Sequence, residues 1–567
     1  MLPIVVALLF AQSPQTTPTF LESLDVRITN VDVVVTDRRG HPVRGLRRDD
    51  FLVTENGVPQ TITNFAEYGG TSGAAEAVAA TTSSAAPAPE AAAPPPRKFI
   101  FYIDEMSLTG RTEPQLADAA TALIRREMRP GDEALVMTHA KNAQVALDFT
   151  GDRDVVEKRL RGELHHLTTF RAKTTRQEDE FFLQHGPPVA SLRARIQQAR
   201  IYATRVNRRV TGALRGLLGV VGALNQTSGR KILVVLSESL PAEPGKEAFG
   251  MSTLRDSLTP TRIGLGGEIV EAMPSAQFDP GDAAAHASWY DVRPMIRELA
   301  ARASANGVTI YTLQPDLGGV VHVPGAGADV GGRLANGGGG GFAVNQFGRQ
   351  MLEETRETLQ TLADDTGGKY FLGGSQIANG FRTIAEDVTS YYSLGYRSAG
   401  GSGIQKIDVR GKGRPELVAR ARRAMLLRSP EREMDEMVAA NLVLPRNVNE
   451  LGIATSAGKP ENRIEFMRVP IVVRIPMSNL TFIPDGDKYR AAFSVHYAAI
   501  DGAGFTTGTY REQTVEIPAA EIDTARKKPF TYTTYLVVAP GTLRVAVGVY
   551  DKASHLTGFQ QLEVAAR

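Results

Sequence analysis

Arg97-Lys-Phe-Ile-Phe-Tyr-Ile-Asp-Glu-Met-Ser107 is the stretch that decides how this chain folds. Two cations lead into the apolar run 99–103, and the run stops at Asp104. A short unbroken apolar run with such bounds reads as a strand buried on both faces, as in a parallel sheet. A carboxylate at the C-terminal end of such a strand lies where open α/β sheets bind ligands. Asp104 is therefore the first candidate for a ligand-holding residue.

Outward from this strand the pattern alternates. Thr112-Glu-Pro-Gln115 reads as a capping box with proline in the first turn, and Leu116, Ala119, Ala120, Leu123 and Ile124 follow at helical spacing. Strands are expected at 133–138 and 144–149, close enough to pair as a hairpin, then a helix at 153–164 capped by Asp152. A long helix at 191–224, a buried strand at 231–236, a helix at 294–305, a strand at 308–313 and a helix at 350–364 continue the series. Tyr391-Tyr-Ser-Leu-Gly-Tyr396 closes it. The alternation predicts an α/β fold over residues 97–425, a doubly wound, mostly parallel sheet with helices on both faces. Insertions at 241–287 and 318–342 interrupt it, and the glycine run 337–341 reads as a mobile loop.

The flanks have a different texture. Residues 20–68 read as a small β piece, with Asn56-Gly57 at a hairpin turn. Residues 69–96 form an Ala/Pro-rich linker with too little apolar surface to offset its ordering entropy. A connecting helix and loop at 426–463 leads to successive strands over 464–567, spaced as in a β-sandwich. Residues 2–11 are apolar but too short to span a bilayer, and a polar turn follows within 1–19. That is the shape of a secretory signal peptide with cleavage after Ala11, which implies export to the periplasm or beyond.

Composition excludes several chemistries. The 567 residues leave room for several domains, and a formal net charge of +2 gives no charge-based reason for a nucleic-acid or membrane partner. There is no cysteine, so disulfides, thiolate zinc sites, iron–sulfur clusters and cysteine nucleophiles are ruled out. No His-Glu-x-x-His and no Gly-x-Ser-x-Gly occurs. Ser228-Gly-Arg-Lys231 and Ser456-Ala-Gly-Lys459 fit Ser-x-x-Lys without its supporting motifs, which points to chance. An enzyme is therefore not expected. Gly212, Gly216, Gly219 and Gly222 sit at helical spacing and suit close helix packing. Arginines 193, 195, 200, 205, 208 and 209 read as a solvated helix face, or as a docking surface for an acidic partner.

Several motifs in order resemble the von Willebrand factor A-related proteins of acidobacteria. They are 31–46 with Asp50-Phe-Leu-Val-Thr-Glu-Asn-Gly-Val-Pro-Gln-Thr-Ile62, the strand ending at Asp104, Arg129-Pro-Gly-Asp-Glu-Ala-Leu-Val136, and Tyr391–Tyr396. The resemblance covers roughly residues 25–425, and each motif alone is modest. It implies a metal-ion-dependent adhesion site, with Asp-x-Ser-x-Ser after the first strand, a loop threonine, and an aspartate after the fourth strand. Asp104 matches the first position, but Met106 and Leu108 stand where the serines belong, and Ser107 comes one place late. Ser237-Glu238-Ser239 replaces the later aspartate motif, and Thr168 and Thr169 are candidates for the loop threonine on position alone. The set Asp104, Ser107, Glu238 and Thr168 thus reads as a degenerate site that could hold Mg²⁺. The implied work is protein–protein or extracellular-matrix contact. The alternatives are a metal-free scaffold of the cell envelope and a hydrolase of unrecognised class.

Overall fold

The computed structural model describes residues 28–69, 96–108, 112–140, 143–167, 192–227, 229–246, 248–249, 285, 288–315, 340–398, 403–427, 429–442, 445, 448–462, 467–501, 506–538 and 540–566. The expected signal segment, most of the linker, much of both insertions and Thr168 lie outside them.

In chain order the first half contains β1 (Ile28–Thr36), β2 (Phe51–Glu55), β3 (Val58–Gln60), β4 (Ile62–Tyr68), β5 (Arg97–Asp104), α1 (Glu113–Glu127), β6 (Glu133–His139), β7 (Ala143–Thr150), α2 (Arg153–His166) and α3 (Leu192–Ala223). Then come β8 (Arg230–Leu236), α4 (Arg293–Ala305), β9 (Val308–Gln314), α5 (Gly340–Asp365), β10 (Tyr370–Leu372), α6 (Ile377–Thr389), β11 (Tyr391–Arg397), β12 (Gly403–Gly411), β13 (Val418–Ala421) and β14 (Ala424–Leu427). The last part holds α7 (Pro430–Asn441), β15 (Ala454–Ala457), β16 (Glu461–Asn462), β17 (Met467–Pro476), β18 (Ile483–Asp485), β19 (Lys488–Asp501), β20 (Thr506–Pro518), α8 (Ile522–Ala525), β21 (Pro529–Val538), β22 (Gly541–Asp551) and β23 (Thr557–Ala566).

β5 sits inside a six-stranded sheet of order β10-β9-β8-β5-β6-β7. Its neighbours β8 and β6 both run parallel to it, and only β7 is antiparallel. Alternation along a strand sends successive side chains to opposite faces. Phe99, Phe101 and Ile103 accordingly pack with α1, α2 and α6, whereas Ile100 and Tyr102 pack with α3, α4 and α5. Both sets are fully buried, which is why the run is apolar at every position. Small residues on α3 permit its approach: a Cβ on Gly216 would fall 2.8 Å from the Tyr102 hydroxyl and from Ala143. The Tyr102 hydroxyl donates to the Ala213 carbonyl at 3.2 Å.

Helix starts follow two routes. Asp152 accepts from the backbone N–H groups of Asp154 and Val155, an N-cap at α2. Thr112 does not cap α1 with its side chain, contrary to the capping-box expectation. Its φ of −105° and ψ of 11° lie outside the extended conformation that capping needs. Helix α5 begins at Gly340, earlier than the periodicity implied.

The largest correction concerns the domain boundary. Tyr391–Tyr396 does not join the central sheet. β11 lies between β1 and β4, antiparallel to both, and β12 pairs with β2. Residues 28–68 and 391–427 therefore build one module of two four-stranded sheets, β13-β1-β11-β4 and β14-β12-β2-β3. Its core is shared: Val31, Val33, Phe51 and Val53 from the first segment meet Tyr392, Leu394, Tyr396 and Ile407 from the second. The N-terminal segment buries its apolar side chains only by pairing with strands some 330 residues away in the chain. Asn56 and Gly57, at φ of 51° and 82°, turn β2 into β3 as a two-residue hairpin loop requires.

At the N-terminal end of the central sheet this module is joined by ion pairs. Arg420 of β13 donates to both carboxylate oxygens of Asp387 at 2.6 and 2.8 Å, and the Tyr311 hydroxyl donates to the same group at 2.9 Å. Burial opposes the charge of Arg420, yet Asp387 outweighs it and keeps the guanidinium more basic than usual. Burial, reinforced by Asp387, pushes the Tyr311 phenol far up. Arg230 donates to the Asp387 carbonyl, lies 3.6 Å from the Asp32 carboxylate and stacks over the Tyr391 ring. Arg97 and Asp132 form a buried pair at 2.7 Å, and Asp132 also accepts from the backbone N–H groups of Arg97 and Arg129.

In the C-terminal part, two antiparallel sheets close over one core that includes Val469, Ile471, Phe493, Val495, Val545 and Val547. α7 packs on it through Met434 and Val438 and touches α3 on its other side, where Gly222 lies against Ala440. Among the described residues no helix is long and apolar enough to cross a membrane.

Candidate functional site

Parallel pairing in register carries the ends of β5, β6 and β8 to one place. Asp104 stands opposite His139, and Ile103 opposite Leu236, so Ser237 and Glu238 begin just beyond. The chain turns sharply after Asp104, whose carbonyl accepts from the N–H groups of Ser107 and Leu108. That turn brings the Ser107 hydroxyl back over the strand end.

The result is a connected hydrogen-bond network. The Ser237 hydroxyl donates to Asp104 Oδ2 at 2.8 Å. Ser107 Oγ lies 3.0 Å from Ser237 Oγ and accepts from the Glu238 N–H at 3.0 Å. Asp104 Oδ1 accepts from the Met106 N–H at 3.3 Å and faces His139 Nδ1 at 3.3 Å. A proton on Nδ1 satisfies this contact and leaves Nε2 as a buried acceptor with no hydrogen-bond partner among the described residues. The Gln314 side chain donates to the Glu238 carbonyl at 2.8 Å. Asp104, His139, Ser237 and Glu238 are all at most 3% exposed. The His139 ring stacks on Tyr102, whose phenol burial and the nearby Asp104 carboxylate push well above its usual range.

Of the four residues expected as metal ligands, Asp104, Ser107 and the backbone of Glu238 come together; Thr168 lies outside the described residues. Among the described residues these groups do not supply the set of about six oxygen ligands that a hard cation takes. Both Asp104 oxygens are already occupied by protein donors, one of them an imidazole nitrogen. Met106 brings its backbone N–H instead of an oxygen, and Leu108 is buried in the apolar core under α1. Among the described residues no group of three or more histidines, aspartates or glutamates is placed to hold a metal. Sequence reasoning did not assign His139 to the site, and it quoted Ser237 beside Glu238 without giving it a role. The motif from Arg129 to Val136 places a strand beside β5, and counting to its end reaches His139.

Beside this network the surface opens into a depression of about 410 Å³, lined by Glu105, Thr138, Ala140, Gln144, Val145, Ala146, Arg159 and Glu163. Glu105 follows Asp104 and Thr138 precedes His139, so the depression opens at the ends of the same two strands. Arg159 is held by the Ala146 carbonyl at 2.7 Å and by Glu163 at 3.2 Å.

A second polar cluster lies in the C-terminal part. His496 Nδ1 is 2.6 Å from Asp435 of α7, and its Nε2 is 2.8 Å from Ser494 Oγ. The order serine–histidine–carboxylate is that of a hydrolase relay. Ser494 and His496 are both 0% exposed, so a substrate has no path to the hydroxyl. The cluster fastens α7 to β19, and burial lowers the His496 pKa against the opposing pull of Asp435.

No protein-family model matches this chain, and no curated protein matches it. Among solved structures it is similar to the vWF domain of the type V pili tip protein Mfa5 from Porphyromonas gingivalis, at 12% identity over 52% of this chain and 96% of that one, with a TM-score of 0.24. It is also similar to a von Willebrand factor type A protein from Catenulispora acidiphila, at 9% identity over 91% and 72% of the two chains and a TM-score of 0.22. A point mutant of the PilB minor pilin from Streptococcus sanguinis matches at 8% identity over 65% and 88%, with a TM-score of 0.23. Scores of this size do not establish a common fold.

Proposed function

We propose that this is an exported, non-enzymatic binding protein that contacts another protein through the C-terminal end of its central sheet, without a metal ion. The observation that carries the reading is the pairing of a buried, internally satisfied network at Asp104 with an open polar depression beside it. In open α/β sheets the crevice beyond the strand ends is the usual ligand position. Here a von Willebrand factor A-like arrangement keeps the aspartate, but hydroxyls and an imidazole take the place of a cation. Glu105, Gln144, Arg159 and Glu163 offer hydrogen-bonding and charged groups of both signs, which suit a polar protein surface. Export follows from reading residues 2–11 as the core of a signal peptide.

A photo-crosslinking residue at Gln144 of the full chain, produced in its source cell, tests this. The expected result is a discrete protein adduct outside the cytoplasm that persists in EDTA and is lost on Arg159→Glu. An adduct that disappears in EDTA, or none at all, overturns the reading.

A further inference from the structure

Among the described residues β21 is an edge strand with little of the usual protection. Along its whole length, from Pro529 opposite Pro476 to Val538 opposite Met467, it pairs with β17 without a shift in register. Among the described residues no strand lies on its other side. Long edges are normally blunted by charge, proline or a bulge, because unpaired N–H and C=O groups invite another strand. β21 carries proline only at its first residue, and Phe530-Thr-Tyr-Thr-Thr-Tyr-Leu-Val-Val538 contains no charge. β20, which among the described residues pairs only with β19, carries Arg511, Glu512 and Glu516 along its length. The outer face of β21 also exposes apolar side chains: Tyr535 is 43% and Val537 58% exposed, with the Arg468 guanidinium 3.6 Å from the Tyr535 ring centre.

We propose that the free edge of β21 is a docking site for a second copy of this chain, joined antiparallel, β21 to β21. The sequence of the strand is compatible with pairing to itself. A two-fold axis through Thr534 sets Thr533 opposite Tyr535 and Thr531 opposite Val537 on the exposed face. On the core-facing side it sets Tyr532 opposite Leu536 and Phe530 opposite Val538. Every pair joins residues of the same face, and all are aromatic, aliphatic or β-branched, the kinds that stabilise cross-strand contact. No like charges meet. The contact is isologous and closes at two copies, which prevents the open-ended growth that an unprotected edge otherwise risks. The surface lies in the C-terminal part and does not depend on the crevice beside Asp104.

Sedimentation velocity of the full chain across micromolar concentrations tests this with two double variants. Thr533→Lys with Tyr535→Lys places lysine opposite lysine twice across the axis. Thr533→Glu with Tyr535→Lys changes the same two exposed positions but places opposite charges there. The expected result is a dimer for the native chain, a dissociation constant raised by about tenfold or more for the first variant, and recovery in the second. A native chain that stays monomeric overturns the proposal in favour of a strand from a different protein. A dimer indifferent to the lysines, or equally weakened by both variants, also overturns it.

Discussion

At the N-terminal end of the central sheet, Arg97, Arg230 and Arg420 meet carboxylates, and two of the three contacts are short, buried ion pairs. At the C-terminal end the Asp104 carboxylate meets a hydroxyl, a backbone N–H and an imidazole, and among the described residues no lysine or arginine. The two ends of the same strands therefore solve the burial of charge differently. The first end joins two chain segments into one body. The second stays beside an open depression, satisfied by a hydroxyl, a backbone N–H and an imidazole. Breaking a buried ion pair leaves an uncompensated charge, whereas removing a carboxylate held by a hydroxyl, an amide and an imidazole leaves orphaned donors, a smaller penalty. The comparison can be broken by substitution at each end.

The largest effect is expected at Asp387. Asp387→Ala strands the buried guanidinium of Arg420 and the Tyr311 hydroxyl, and should cost about 3–5 kcal/mol of stability. Urea unfolding followed by tyrosine fluorescence checks this; a loss below that of the crevice variant would reverse the contrast. Asp104→Ala orphans the Ser237 hydroxyl, the Met106 N–H and His139 Nδ1, and should cost about 2 kcal/mol in the same experiment.

A smaller, pH-dependent effect is expected at the C-terminal cluster, which shares the hydroxyl–imidazole–carboxylate chemistry of the crevice. Burial lowers the pKa of His496 in the folded chain, so the unfolded chain binds more protons on acidification. The stability this group contributes is complete above the ordinary histidine pKa and declines as pH falls through it toward the lowered value. Melting temperatures recorded from neutral to mildly acid pH should fall, and His496→Gln should reduce the slope. An unchanged slope would remove His496 from the account.

The sequence was most informative where local pattern suffices. The apolar run 99–103, the Asn56-Gly57 turn and the Asp152 cap each report on a few adjacent residues, and each has its structural counterpart. Pairing partners were less legible. Tyr391–Tyr396 has strand composition in either sheet, and only the apolar surface offered by Val31, Val33 and Phe51 decides its neighbours. The candidate site was half legible. Asp104 could be found as the end of a buried strand. His139 and Ser237 could be located at strand ends but not paired with Asp104, because that role depends on where three parallel strands end relative to one another.

The central claim is that the Asp104 network takes the place of a cation. Isothermal titration of Mg²⁺, and separately Mn²⁺, into the full chain and into Asp104→Asn tests it most directly. The account expects no saturable binding that distinguishes the two proteins at millimolar metal. Stoichiometric binding to the native chain that is lost in Asp104→Asn would contradict it.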